Sequence, residues 1–345
     1  MYFSIQASAY QLPTAEAAPS FANALANLSD SASTSGQPGG LSAQKFTHYD
    51  AKGLLGKSRH LSSATKLLCS TAVELMERPD NRIDPGAATQ VGVYVAADTI
   101  NLEDDFEFDI CARNLGPDFV SPLKAPNTLS NVVGSHLARL YEIQGPNCTI
   151  AAGQHSWLQS LDIAQLALQA GTIQRALLGV VEVSSVYHQA CQQERELALL
   201  LDVVPHRSGK VRFVEPLLGR MPSWKPSLLQ AALQNYLAKY QRQSVDLVML
   251  AGEPLAAKQQ DGLASMCAGA GISASILCGE SLFGRGESAS AACGMLLADN
   301  LLQDNSLLAT LKGDYLGSAP SSVNSILILS LDQQYAYSAL LLERV

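Results

Sequence analysis

The stretch from Gly145 to Ser160, GPNCTIAAGQHSWLQS, constrains the fold more than any other part of the chain. Cys148 to Ala152 is short, apolar and partly β-branched, which predicts a buried strand. Gly153 allows a tight turn that a side chain with a Cβ would resist. Ser156 can cap the helix that follows. Trp157, Leu158, Leu161, Ala164, Leu166, Ala167 and Leu168 lie nearly all round that helix, which predicts burial rather than amphipathicity. Gly171 stands where a C-terminal glycine would stop it. Such a strand–elbow–helix unit aims backbone N–H groups and the helix dipole at the turn residue, favouring a thiolate or an oxyanion there. An enzyme built on this element would carry Cys or Ser at the turn. Here the residue is Gln154, whose amide is not a nucleophile.

The rest of the chain alternates strand and helix. Strands are expected at Tyr2–Tyr10, Val91–Ala97 and Ala176–Val183, with helices at Ser62–Met76 and Pro126–Glu142. Residues 13–45 are rich in Ser, Ala and Gly and read as a surface helix and loop. A second series gives strands at Leu197–Val204, Lys210–Leu217, Asp246–Ala251, Ser273–Cys278, Asn324–Ser330 and Tyr335–Glu343. Its helices are expected at Pro226–Tyr240, Ala256–Ala270 and Ser288–Leu302. Alternation of this kind argues for α/β structure with parallel central strands.

Composition narrows the function. A net charge of −8 over 345 residues disfavours nucleic acid or an anionic membrane surface as the main partner. Met1 to Ala7 has no basic n-region, so no signal peptide is expected. No apolar stretch approaches the ~20 residues of a membrane span. The 7 cysteines are scattered without CxxC spacing, as in reduced, buried thiols of a cytoplasmic protein. The acidic run Glu103-Asp104-Asp105 has no accompanying ligand cluster and reads as a solvated face, so no metal site and no cofactor are expected. Among the 6 histidines only His155 falls near the elbow, and Cys148 lies upstream of it on a strand, so a Cys/His pair is disfavoured. A dinucleotide fingerprint is not formed by Gly284-x-Gly286.

Gly145 to Ser160 resembles the active-site segment of the β-ketoacyl synthases of the thiolase superfamily. In that family, Gly-Pro and a Thr-containing strand precede Thr-Ala-Cys-Ser-Ser and a buried helix. Gln154 falls at the acyl-accepting Cys. Pro126-Asn127 and the later Gly134 are similar to the family's Pro-Asn-x-x-x-Gly. The resemblance implies an α/β, thiolase-like duplicated α-β-α-β-α layered fold. Its N-terminal half would span 1–193, loop-rich at 13–45, and its C-terminal half 194–345. The family's first catalytic His lies at a strand end where this chain has Ala251. Its Lys and second His align with Glu280 and Arg285. Its Gly-rich gate is replaced by Ile326-Leu-Ile-Leu-Ser. A methyl group moves no proton, and Arg does not act as a general base. Glu280 and Arg285 either pair across the old site or stand solvated.

Gln at the elbow resembles the chain-length factors, the inactive partners of ketosynthases in type II polyketide systems. The resemblance implies a non-catalytic, cytoplasmic subunit, not itself an enzyme. It would pair with an active β-ketoacyl synthase through Cys148, Thr149, Ile150, Ala151 and Ala152 and meet acyl carrier protein through that complex. Phe106, Phe108 and Ile110 would line the acyl tunnel and set product length. These lie on one face if the segment is extended, whereas a helix keeps only Phe106 and Ile110 together. The short chain and the lost catalytic groups are most similar to factors of bacterial aryl polyene pathways, related to fatty acid synthesis. Two alternatives stand beside this reading: a Gln-type malonyl-carrier decarboxylase, whose relatives keep their histidines, and a stand-alone acyl-binding scaffold.

Overall fold

The structure is a computed structural model that describes residues 1–12, 21–24, 60–183, 185–187, 196–252, 255, 257–269, 271–272, 275–283, 287–311 and 313–345. The loop-rich stretch expected at 13–45 falls outside the described residues apart from 21–24. The chain divides into two compact units. Of the described residues, one holds 5–12 and those within 60–204, the other 1–4, 21–24 and those within 205–345, so the strand from Leu197 stays with the first although the halves read from sequence part at 193.

In the first unit the sheet order is β1 (Phe3–Gln11), β5 (Leu197–Pro205), β4 (Arg175–Glu182), β2 (Val91–Ala96) and β3 (Asn147–Ile150). β2 runs parallel to both β3 and β4, and β4 is antiparallel to β5. β2 is buried along its whole length, as its unbroken run of small and branched residues predicts. Helix α1 (Ser63–Met76) opens with Ser62 as its N-cap, accepting the Thr65 N–H at 3.1 Å. Its face of Leu67, Leu68, Ala72 and Leu75 joins Val93, Val95 and Leu177 in one core cluster.

Several expectations need correction. The helix expected over Pro126–Glu142 is broken. A 3₁₀ turn at Ala125–Thr128 comes first, Leu129 is extended (φ −104, ψ 126), and α3 covers only Val132–Leu140. β3 is shorter than expected and only half-buried, because it lies last in the sheet order with β2 on one flank. The helix after the elbow, α4 (Ser156–Gln169), is not apolar-buried all round, since Leu166 is 58% exposed. Its inner face is buried through Trp157, Leu158, Leu161, Ala164 and Leu168. The stretch 101–124 forms helix α2 (Leu102–Leu115), whose first turn receives Glu103, Asp104 and Asp105. Carboxylates there complement the positive end of the helix dipole, which accounts for the acidic run without a metal.

In the second unit the order is β10 (Asp314–Leu316), β9 (Ile276–Cys278), β8 (Leu247–Ala251), β11 (Ser325–Leu331), β12 (Ala336–Arg344) and β6 (Val211–Phe213), with β7 (Leu217–Arg220) also on β12. β6 and β7 replace the single strand expected over Lys210–Leu217, interrupted around Pro216, which has no N–H to donate. β10 was not expected from sequence; it is short and pairs antiparallel with β9. β8, β9 and β11 run parallel, and Asp246 fastens two of them. Its Oδ2 accepts the N–H groups of Asn324 (2.7 Å) and Ser325 (2.9 Å), bringing the starts of β8 and β11 together. Helices α5 (Pro226–Lys239) and α6 (Ala257–Gly269) contribute Leu229, Leu233, Leu237, Leu263 and Met266 to the core of this unit. A short helix, α7 (Glu280–Phe283), precedes α8 (Ser288–Gln303), which is buried almost throughout.

Candidate functional site

In the first unit the elbow is built as its sequence suggests, with one change. Gly153 takes φ +59, the left-handed region that glycine enters without penalty. Upstream, a Cβ on Gly145 would stand 2.1 Å from the Val91 carbonyl oxygen, so only glycine lets the chain enter β3 against β2. Ser156 does not cap α4; the cap position belongs to His155. Ser156 ties the turn instead. Its Oγ donates to the Gly153 carbonyl at 2.7 Å and accepts the Ala152 N–H at 2.8 Å. Gln154, His155 and Ser156 are all buried at the start of the helix. The element therefore keeps the form that would activate a nucleophile and presents a neutral amide in its place. Cys148 lies on β3 opposite Tyr94 in register, away from the turn.

In the second unit the carboxyl ends of β8, β9 and β11 converge on a solvent-connected recess lined by Leu250, Ala251, Cys278, Glu280, Leu329 and Leu331 among others. Ligands of parallel sheets bind at such strand ends. Two positions singled out in the sequence, Ala251 and Glu280, thus share one recess; Arg285 lies outside the described residues. Cys278 was missed as a site residue, because on sequence it is one more apolar-flanked cysteine. Burial raises its thiol pKa, and Asp314 and Glu280 add to the rise, so it stays protonated and weakly nucleophilic. The recess offers an apolar wall, a thiol and a carboxyl group, and no imidazole from Ala251.

Phe106, Phe108 and Ile110, the residues expected to line a tunnel, fall on α2. The helix separates Phe108 from Phe106 and Ile110, which share a face. No residue of α2 is buried. Polar tethers hold it in place. Asn101 Nδ2 donates to the Thr128 carbonyl at 2.7 Å and to Asp105 at 2.9 Å, while Lys124 pairs with Glu107 at 3.2 Å. Phe106, Ile110, Leu115, Phe119, Leu123 and Leu129 are exposed, so large apolar side chains concentrate on α2 and the segment after it.

The chain has the thiolase-like fold of the ketosynthases. The profile of the β-ketoacyl synthase N-terminal domain matches residues 22–200, more than half of the chain, and the protein belongs to the β-ketoacyl synthase family. Among solved structures, the ishigamide ketosynthase/chain length factor is similar over 100% of both chains, with a TM-score of 0.72 and 16% identity. A type II polyketide ketosynthase solved with its acyl carrier protein, AntDE:AntF, gives 0.73 and 14% over 100% of this chain and 99% of that one. The oxazolomycin ketosynthase domain of Streptomyces albus JA3453 gives 0.68 and 12% over 99% of this chain and 95% of that one. A search of curated proteins by sequence returned no match.

Proposed function

We propose that this chain is a chain-length factor: a non-catalytic subunit that pairs with an active β-ketoacyl synthase and shapes its acyl tunnel. One observation carries the reading. The elbow is intact, tied by Ser156 and glycine-turned, yet its turn residue is the buried amide Gln154. Loss of fold would remove the geometry with the chemistry; here only the reactive atom is gone. Ala251 in the strand-end recess fits the same loss. The likeness in fold to a ketosynthase/chain length factor and to a ketosynthase with its carrier protein agrees with this role.

The partner surface is the edge strand β3 with its continuation, Cys148 to Ala152, together with the apolar α2 segment. β3 is last in its sheet order, and an edge strand of this kind is a template for sheet continuation into another chain. Burying Phe119, now 69% exposed, and its neighbours would make such an interface strongly apolar. The setting is cytoplasmic type II synthesis of an aryl polyene or related fatty-acid-like chain, with acyl carrier protein reached through the partner. Among the described residues no helix is long and apolar enough to cross a membrane.

Co-expression with an active ketosynthase of a type II system tests the reading. The expected result is a complex that survives gel filtration and makes product only when the partner's own cysteine is present. A stable monomer that ignores that partner, or one that decarboxylates malonyl-carrier alone, would count against it; the latter would favour a Gln-type decarboxylase.

A further inference from the structure

We propose that Tyr187 is a positioning residue for product length, acting through the ring of Phe106; the inference rests on the chain-length reading above. Tyr187 follows β4 by a few residues in a segment with no periodic signal, and nothing in the sequence marks it. In the structure its ring lies face to face with Phe106, centroids 4.5 Å apart and planes within 6°. That separation is within the range of stacked aromatic pairs.

Core packing does not account for the stack. Phe106 is 43% exposed, Val186 beside Tyr187 is 67% exposed, and α2 buries no residue. The tethers that hold α2 act on Asp105, Glu107 and the helix start, not on the Phe106 ring. An exposed Phe held only by its backbone samples several staggered χ1 wells. A growing acyl chain that meets such a ring meets a soft stop, because the ring can swing aside. Tyr187 fixes the plane. The stacked pair forms a two-ring plate, flanked on the same helix face by Ile110, one turn on. A fixed plate gives a sharp length limit to an extended, apolar or conjugated carbon chain. Stacking needs the ring and not the hydroxyl, so Phe should serve at 187 and an aliphatic residue should not.

The experiment uses the full chain in complex with its ketosynthase, supplied with malonyl-loaded acyl carrier protein, and reads the product length distribution by mass spectrometry. Only complexes that elute intact are compared. Tyr187→Phe is expected to keep the native distribution. Tyr187→Ala and Tyr187→Leu are expected to spread it by one or more two-carbon units. Combined with Phe106→Ala, either should give the distribution of Phe106→Ala alone, the non-additivity of residues that act as one unit. A sharp native distribution from Tyr187→Ala and Tyr187→Leu, where Phe106→Ala lengthens the product, overturns the inference and leaves the chain-length reading standing. So does a Tyr187 effect that persists without the Phe106 ring, or a Tyr187→Phe variant that behaves like Tyr187→Ala. If only Tyr187→Phe assembles, Tyr187 is a structural residue and the inference fails. If Phe106→Ala changes nothing either, the placement of the tunnel end on α2 fails with it.

Discussion

Ser156 Oγ donates to the Gly153 carbonyl at 2.7 Å while accepting the Ala152 N–H at 2.8 Å, so one hydroxyl closes the turn that carries Gln154. Neither of these two bonds involves the side chain at 154. Backbone geometry and the chemistry of the turn residue are separable at this element.

That separation predicts the behaviour of a restored nucleophile. Gln154→Cys should fold, and the helix N-terminus should favour the thiolate form of its sulfur. It should not condense acyl and malonyl units, because the methyl group of Ala251 moves no proton. The assay pairs the variant with a ketosynthase whose own cysteine has been removed and looks for a ketoacyl product. Formation of that product would show that the old site needs only its sulfur.

The alternation of elements, the elbow with Gly153 and the stop at Gly171 were legible in the sequence because each follows from local rules: periodicity, a positive φ, a helix end. What was not legible depends on neighbours. Apolarity in α4 predicted burial all round, yet Ile163 and Leu166 are exposed, since a hydrophobic side chain does not report what covers it. Cys148 to Ala152 read as a buried strand, and only the sheet order makes β3 an edge. The 106–110 segment was compatible with two geometries until the acidic first turn and the Asn101 tethers made it a helix. Of the candidate site, Ala251 and Glu280 share a recess, which no local pattern could state, while Cys278 and Tyr187 carried no signal at all.

Arg175 and Asp202 give a prediction about stability. Asp202 is fully buried, and Arg175 Nη2 reaches its Oδ2 at 2.7 Å while also donating to the Asn81 carbonyl at 3.0 Å. Burial raises the Asp202 pKa, and Arg175 works against that rise. Removing one member of a buried pair leaves an uncompensated charge, typically at a cost of about 3–5 kcal/mol. Arg175→Leu should show that loss in urea denaturation near neutral pH. The loss should shrink as the pH falls, because protonating Asp202 removes the stranded charge. A loss that does not vary with pH would place the effect in packing instead.

Asp299, buried on α8, has its carboxyl pushed up to about 7 by burial, against the lowering effect of a 2.6 Å hydrogen bond from Gln303. In the unfolded chain the group ionises near pH 4. Between those values the folded state holds the proton and the unfolded state does not. Stability from this residue is therefore full at low pH, declines as pH rises through the window, and levels off above the folded value. The decline is at most about 4 kcal/mol for a shift of this size. Asp299→Asn keeps an acceptor for Gln303 and cannot ionise. It should flatten the stability profile between pH 5 and 7.5, as read from denaturant midpoints, and match or exceed the native protein at the upper end. A native profile already flat across that range would put water or another partner at the carboxylate.

The helical form of 102–115 sorts the three proposed tunnel residues. Phe106 and Ile110 are each 43% exposed on one face of α2, and Phe108 points elsewhere, half-buried. A residue at the end of a tunnel limits length by occupying volume, so removing volume admits carbons, whereas removing buried packing destabilises the fold. Ile110→Ala should therefore lengthen the product of the assembled complex by one or more two-carbon units with little change in stability. Phe108→Ala should leave product length unchanged and lower the denaturation midpoint of the subunit. Each variant is to be measured both ways, by mass spectrometry of products and by denaturation of the complex. The reverse pattern, with Phe108→Ala altering length and Ile110→Ala altering only stability, would turn α2 around and put its other face on the acyl chain.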